Sequence, residues 1–89
     1  MVYITGTHLA GGQRHEHIAS VRWRNPSDGM TGQSTREQMV RWIQEDKGIA
    51  RVSDGVREIM VGVVTANPPY IRTYADGVWT DNLLALPQY

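Results

Sequence analysis

The spacing of apolar side chains along the chain predicts short alternating strands interrupted by one helix. Val2 to Leu9 alternates and is rich in β-branched residues, as a half-buried strand requires. Ile18 to Arg24 alternates more cleanly, with Ala19, Val21 and Trp23 on one side and Ser20, Arg22 and Arg24 on the other. Ala10-Gly11-Gly12-Gln13 reads as the loop between them, so the two segments predict an antiparallel hairpin with one buried face. Asn25-Pro26-Ser27-Asp28-Gly29 is written in turn-forming residues. Ser34 then opens the helix, because Ser34-Thr35-Arg36-Glu37 matches the capping-box pattern. Met39, Val40 and Ile43, flanked by Trp42, form its apolar stripe. Lys47 suits the negative end of that helix and Gly48 a left-handed stop. About twelve helical residues are marginal alone, so the stripe has to pack on a sheet.

Past Gly48 the pattern returns to strands. Ile49 to Ser53 and Glu58 to Val64 flank Asp54-Gly55, a hairpin-turn signal. Ile59 to Val64 is apolar on both sides, which predicts a central strand covered on both faces. Asn67-Pro68-Pro69 interrupts the ladder, since proline donates no hydrogen bond. Tyr70 to Tyr74 resumes it, Asp76-Gly77 turns it, and Leu83, Leu84 and Leu86 close a tail over the core before Pro87. The sum is an α+β fold, a single helix packed on a mostly antiparallel sheet in the order β-β-α-β-β-β, within one domain over residues 1–89.

Charge narrows the function. Nine basic and nine acidic residues cancel, which removes the electrostatic footprint of a general nucleic-acid binder. Lys47 is the sole lysine, and arginine supplies every other cation. Codon bias explains such a skew without any function. Yet arginine also supplies the planar, forked donors suited to carboxylate and phosphate. The aromatic residues are all Tyr or Trp, each with a polar handle suited to half-buried positions. Without cysteine there is neither a disulfide staple nor a thiolate zinc site, so packing alone or self-association must supply stability. No signal-peptide pattern and no membrane-spanning stretch is visible, so the expected compartment is the cytoplasm.

Three clusters could carry chemistry. Alternation puts Tyr70, Arg72 and Tyr74 on one side of their strand; Arg22 and Arg24 share a side, and Arg51 opposes Ala50 and Val52. If these sets lie on one sheet face, guanidinium and phenol groups could clamp an anionic ligand such as a nucleotide. The plainer alternative is a solvated face whose arginines pair with Glu58, Asp54 or Asp76. His8, His15 and His17 form the second cluster. On a strand His15 and His17 would face the same way, and His8 across the hairpin would complete an open zinc site; exposed loop histidines are the simpler reading. Asp81 and Asn82 are the third, as caps or partners for open backbone groups near the tail. No glycine-rich phosphate loop, nucleophile elbow or cysteine nucleophile occurs, and no cofactor is implied.

The run Pro-Pro-Tyr-Ile-Arg-Thr-Tyr-Ala-Asp-Gly-Val-Trp-Thr-Asp-Asn-Leu-Leu-Ala-Leu-Pro resembles the closing signature of a family of short bacterial and phage proteins, domain of unknown function three-eight-nine-two. The tyrosine-initiated first strand, the His-Glu-His-Ile after a glycine loop, the strand ending in Trp23 and the Ser34-Thr35-Arg36 helix start are similar too. That resemblance implies a compact domain and carries over no activity or catalytic residue. The leading expectation is therefore a non-enzymatic, self-associating binding protein. It would recognise a small anionic ligand through Arg72, Tyr70, Tyr74, Arg22, Arg24 and Arg51, with Trp79, Asp81 and Asn82 beside them. The alternative is a protein–protein or homo-oligomeric module that docks through the tail segment, with Trp79 as anchor.

Overall fold

A computed structural model describes Met1–Tyr89. Seven strands form one mixed sheet: β1 (Val2–Leu9), β2 (Ile18–Arg24), β3 (Thr31–Thr35), β4 (Ala50–Ser53), β5 (Glu58–Val64), β6 (Tyr70–Ala75) and β7 (Val78–Thr80). Helix α1 (Arg36–Glu45) follows β3, and a 3₁₀ turn, His15–His17, precedes β2. The spatial order is β3-β2-β1-β4-β5-β6-β7. Every pairing is antiparallel except β1 with β4, where Val2 meets Ala50 and Tyr3 meets Arg51. Two meanders thus stand side by side, joined by the crossover through α1. The class is α+β, as expected, but the order is β-β-β-α-β-β-β-β rather than β-β-α-β-β-β.

The two additional strands have different origins. β3 is Thr-Gly-Gln-Ser-Thr, with no apolar alternation, and it pairs along its length with β2 at the sheet's edge. Its Ser34, expected to cap the helix, lies in the strand and accepts the Trp23 indole N–H at 3.0 Å. Thr35 takes the cap instead: its Oγ1 accepts from the Gln38 backbone at 3.1 Å, and Gln38 Oε1 accepts from the Thr35 backbone at 2.8 Å. β7 grows from the expected Asp76-Gly77 turn. Both residues have positive φ (53° and 80°), as a two-residue hairpin with matched twist requires.

The helix ends otherwise than its sequence suggests. Lys47, not Gly48, adopts the left-handed conformation, at φ 55°. Gly48 is required for a different reason: a Cβ there would sit 2.2 Å from the Trp42 ring. Gly32 serves Trp23 in the same way, with a Cβ position 2.3 Å from that ring. Each indole is laid flat on a glycine.

The core lies between α1 and one face of the sheet. Met39 and Val40 of the helix pack with Val2, Ile4, Ile18, Val21, Ala50, Val52, Val61 and Ile71, while Trp42 and Ile43 flank them. Each Val, Ile or Met side chain among them, fully buried, contributes about 1.5–3 kcal/mol. An irregularity between Ile4 and Gly6 shifts the register of β1 against β2. Val2 and Ile4 face the core before it, and Thr7 after it. The tail then returns to β1: Thr7 donates to Pro87 O and accepts from Tyr89 N–H, each at 3.0 Å. Leu83 is fully buried, and Leu84 and Leu86 pack on the core, as the tail's apolar pattern predicts. β5 does lie inside the sheet, yet its second face is not closed over, since Met60 is 41 % exposed.

Candidate functional site: the outer face of the sheet

Opposite the core, cross-strand register defines one continuous face. Thr31 pairs with Arg24, Arg24 with Tyr3, Tyr3 with Arg51, Arg51 with Met60, Met60 with Tyr74, and Tyr74 with Trp79. One residue from each of the seven strands therefore stands in a single row across the sheet. A neighbouring pair of rungs adds Arg22 opposite Gly6 and Arg72 opposite Gly62; Tyr70 pairs with Val64 on the same side. The sets expected to share a face do share it. They do not converge on one point. Strands lie about 4.8 Å apart, so β2 and β6 are separated by roughly 19 Å along the twisted sheet.

The face divides into two halves of different chemistry. At the β6–β7 end, Arg72 is committed internally: Nη2 reaches Asp81 Oδ1 at 2.8 Å, and Nε donates to Thr80 O at 3.1 Å. Beneath it, Thr73 Oγ1 lies 2.7 Å from the Thr80 hydroxyl and accepts the Asn82 backbone N–H at 3.1 Å; Asn82 Oδ1 lies 2.7 Å from the same Thr80 hydroxyl. Asp81 and Asn82 therefore fasten the tail to β6, but through the Arg72 guanidinium and the Thr80 hydroxyl rather than by the capping or backbone bonds expected of their side chains. Around this knot the face is aromatic and apolar. Trp79 lies over Gly62 and meets Tyr74 edge-on with ring centroids 5.7 Å apart. Trp79, Tyr74 and Met60 are 40 %, 45 % and 41 % exposed.

The β2–β1–β4 half is cationic. Arg51 pairs with Glu58 at 3.3 Å. The Glu58 carboxylate beside it, ahead of burial, also pushes the Tyr3 phenol above its ordinary pKa. The Arg24 guanidinium stands 5.4 Å from the centroid of that same Tyr3 ring. Arg22 lies 4.0 Å over the ring of Tyr89, which is seated on Gly6, hydrogen-bonded through its hydroxyl to Ser20 at 2.8 Å and through its carbonyl to the His8 ring. Arg22 and Arg24 form no ion pair with a carboxylate of the chain. They are held by rings rather than neutralised by charges. Tyr89 was not foreseen as part of this face, because only the return of the tail to Thr7 brings it there.

The histidines do not assemble. His15 and His17 lie on the 3₁₀ turn, not on a strand, which separates their directions. His8 turns to Tyr89, and His17 packs on Gly12 and accepts the Arg14 backbone N–H through Nδ1 at 3.2 Å. His15 is buried beside β6, its Nε2 3.8 Å from Asp81 Oδ1 and without a hydrogen-bond partner. Burial first, and the Arg72 charge second, lower its pKa. No group of three or more His, Cys, Asp or Glu side chains is placed to hold a metal ion. No helix is long and apolar enough to cross a membrane.

Neither a curated protein nor a solved structure matches the chain. A protein family does. Its pattern runs from Tyr3, which carries the cross-sheet row, to Pro87, whose carbonyl closes the tail on β1. With residues 3–87 matched, the chain belongs to DUF3892, a family of proteins of unknown function.

Proposed function

We propose that the chain is a non-enzymatic binding module that takes a small anionic ligand on the outer face of its sheet, with Arg22 and Arg24 as the principal contacts. The observation that carries this reading is the state of those two side chains. They share a face, lie two residues apart on one strand, and are oriented by the Tyr89 and Tyr3 rings with no carboxylate against them. A guanidinium so held loses little freedom when it meets a phosphate, and the fork can bond two oxygens at once. Arg51 and the Tyr3 phenol extend the surface toward β4. Arg72, Asp81 and Asn82 stand beyond it and act through the fold, and Tyr70 and Tyr74 lie outside it on the same face of the sheet. The balanced overall charge suits a small anion better than a polyanion.

Titration calorimetry with pyrophosphate and with adenosine monophosphate tests the reading. Arg22→Gln and Arg24→Gln should each weaken binding by about tenfold or more, since a hydrogen bond to a charged group contributes about 1.5–3 kcal/mol. Heat that is absent in the wild type, or unchanged in the double variant, rejects it.

A second reading concerns the aromatic half. Met60, Tyr74 and Trp79 form an uncharged exposed row that can meet itself across a two-fold axis, which suits docking of a second copy. Light scattering should then show mass rising with concentration, and Trp79→Glu should hold the chain monomeric. A wild-type chain that stays monomeric at every concentration removes this reading and leaves the first intact.

A further inference from the structure

We propose that the cleft between α1 and the β2–β3 edge binds an uncharged, planar heteroaromatic molecule, with the indole rings of Trp23 and Trp42 as its walls. This site is on the core side of the sheet, away from Arg22 and Arg24, and does not depend on the anion reading. The cleft has a volume of about 370 Å³, at the lower end of the range for small-molecule sites, roughly 300–1,000 Å³. That is room for one or two fused rings rather than a large ligand.

Its lining decides the chemistry. Trp23, Trp42 and Met39 supply the apolar surface, and Asn25, Ser34 and Gln38 supply amide and hydroxyl groups. None of its lining residues is charged. An anion or cation entering would be desolvated with nothing to compensate it, whereas a neutral ring would exchange wet apolar surface for stacking. The two indoles differ usefully. Trp23 commits its N–H to Ser34 Oγ. The half-buried Trp42 makes no hydrogen bond through its N–H within the chain, which leaves that donor for a ring nitrogen or carbonyl. Both rings remain only half-buried.

The walls are also fixed. Any side chain at Gly32 would collide with the Trp23 ring, and any at Gly48 with the Trp42 ring. Each wall therefore rests on bare backbone, and Trp23 is pinned further by its hydrogen bond. Rigid aromatic walls with a few polar groups at the rim suit recognition of a flat ring with hydrogen-bonding edges. A saturated ring of equal size would fill the same volume without stacking.

Each tryptophan indole N–H gives its own signal in a nitrogen–proton correlation spectrum, so the full-length chain reports on itself. Adenosine is the probe, with cyclohexanol as the non-aromatic control and inorganic phosphate as the control for the outer face. Adenosine should shift the Trp23 and Trp42 signals, leave Trp79 in place, and saturate with a dissociation constant in the millimolar range or tighter, on the order of what a fragment-sized ligand attains. Trp42→Phe keeps a ring but removes the donor, and should weaken binding severalfold. Trp42→Leu removes the wall and should abolish it, while a dispersed amide spectrum and an unmoved Trp79 signal show that the variant is folded. No movement of the Trp23 and Trp42 signals overturns the proposal. So does a cyclohexanol response equal to that of adenosine, which would mark the cleft as an apolar gap without preference for a ring.

Discussion

Thr7 and Thr73 are both fully buried threonines on the core side of the sheet, and the same substitution should move stability in opposite directions at the two positions. The Thr7 hydroxyl has no hydrogen-bond partner, while its backbone bonds to Pro87 and Tyr89 do not involve the side chain. Thr7→Val keeps the shape and removes a desolvated polar atom, so it should stabilise the fold by about 1 kcal/mol. At Thr73 the hydroxyl lies 2.7 Å from the Thr80 hydroxyl and accepts the Asn82 N–H at 3.1 Å. Thr73→Val leaves that half-buried N–H without an acceptor and removes the bond that the Thr73 hydroxyl donates to the Thr80 carbonyl. One lost hydrogen bond and one orphaned group together cost about 2–4 kcal/mol. A chain of this length has a total stability of roughly 4–13 kcal/mol. At about 4–8 °C per kcal/mol, Thr73→Val should melt roughly 10–30 °C below the wild type and Thr7→Val a few degrees above it. Thermal unfolding followed by circular dichroism reads both, with Thr73→Ser as the variant that keeps the hydroxyl and most of the stability. Equal melting points for the two valine variants, or a Thr73→Ser as damaged as Thr73→Val, would refute the assignment of the tail knot as a hydrogen-bonded support.

Lys47→Gly should raise stability by about 0.5–1 kcal/mol, because glycine relieves the left-handed backbone at φ 55° that lysine holds at a cost; chemical denaturation measures it. Gly48→Ala should lower stability by about 1–3 kcal/mol, because the added Cβ would meet the Trp42 ring at 2.2 Å, and Trp42 fluorescence should shift with it. His15 gives a pH dependence. Its folded pKa lies below the ordinary 6.5, so below that pH the unfolded chain binds a proton that the folded chain refuses. Stability should therefore be full above pH 6.5 and fall as the pH drops through it, with a slope of at most about 1.4 kcal/mol per pH unit. His15→Asn should flatten the melting-point profile between neutral and mildly acidic pH; a profile unchanged from wild type would place the titration elsewhere.

Much of the fold was legible because its signals are local. β1 and β2 begin and end with the alternation of apolar residues and β5 with its apolar run. Asp76-Gly77 forms the two-residue turn it announces, whereas Asp54-Gly55 opens a longer loop closed by the Asp54 N–H on the Arg57 carbonyl. β3 was illegible because no apolar period marks it; its pairing with β2 and the Ser34 bond to Trp23 create it. Gly48 carried an ambiguous signal, since a helix stop and the seat of an aromatic ring both demand glycine. At the site, the side on which each arginine points could be read from the strand period. What separates Arg22 and Arg24 from Arg72 and Arg51 could not. The carboxylates of Asp81 and Glu58 reach their partners only through the β6–β7 turn and the β4–β5 hairpin. Tyr89 reaches Arg22 from the far end of the chain.

The claim on which the functional account rests is that β2, not the tail signature, meets the ligand. Nuclear magnetic resonance of the arginine side-chain Nε–H groups during a pyrophosphate titration at low salt tests it most directly. The account predicts that the Arg22 and Arg24 signals move first and saturate together, while the Arg72 signal, held by Thr80 and Asp81, stays in place. Movement of Arg72 with Arg22 and Arg24 unaffected would contradict it.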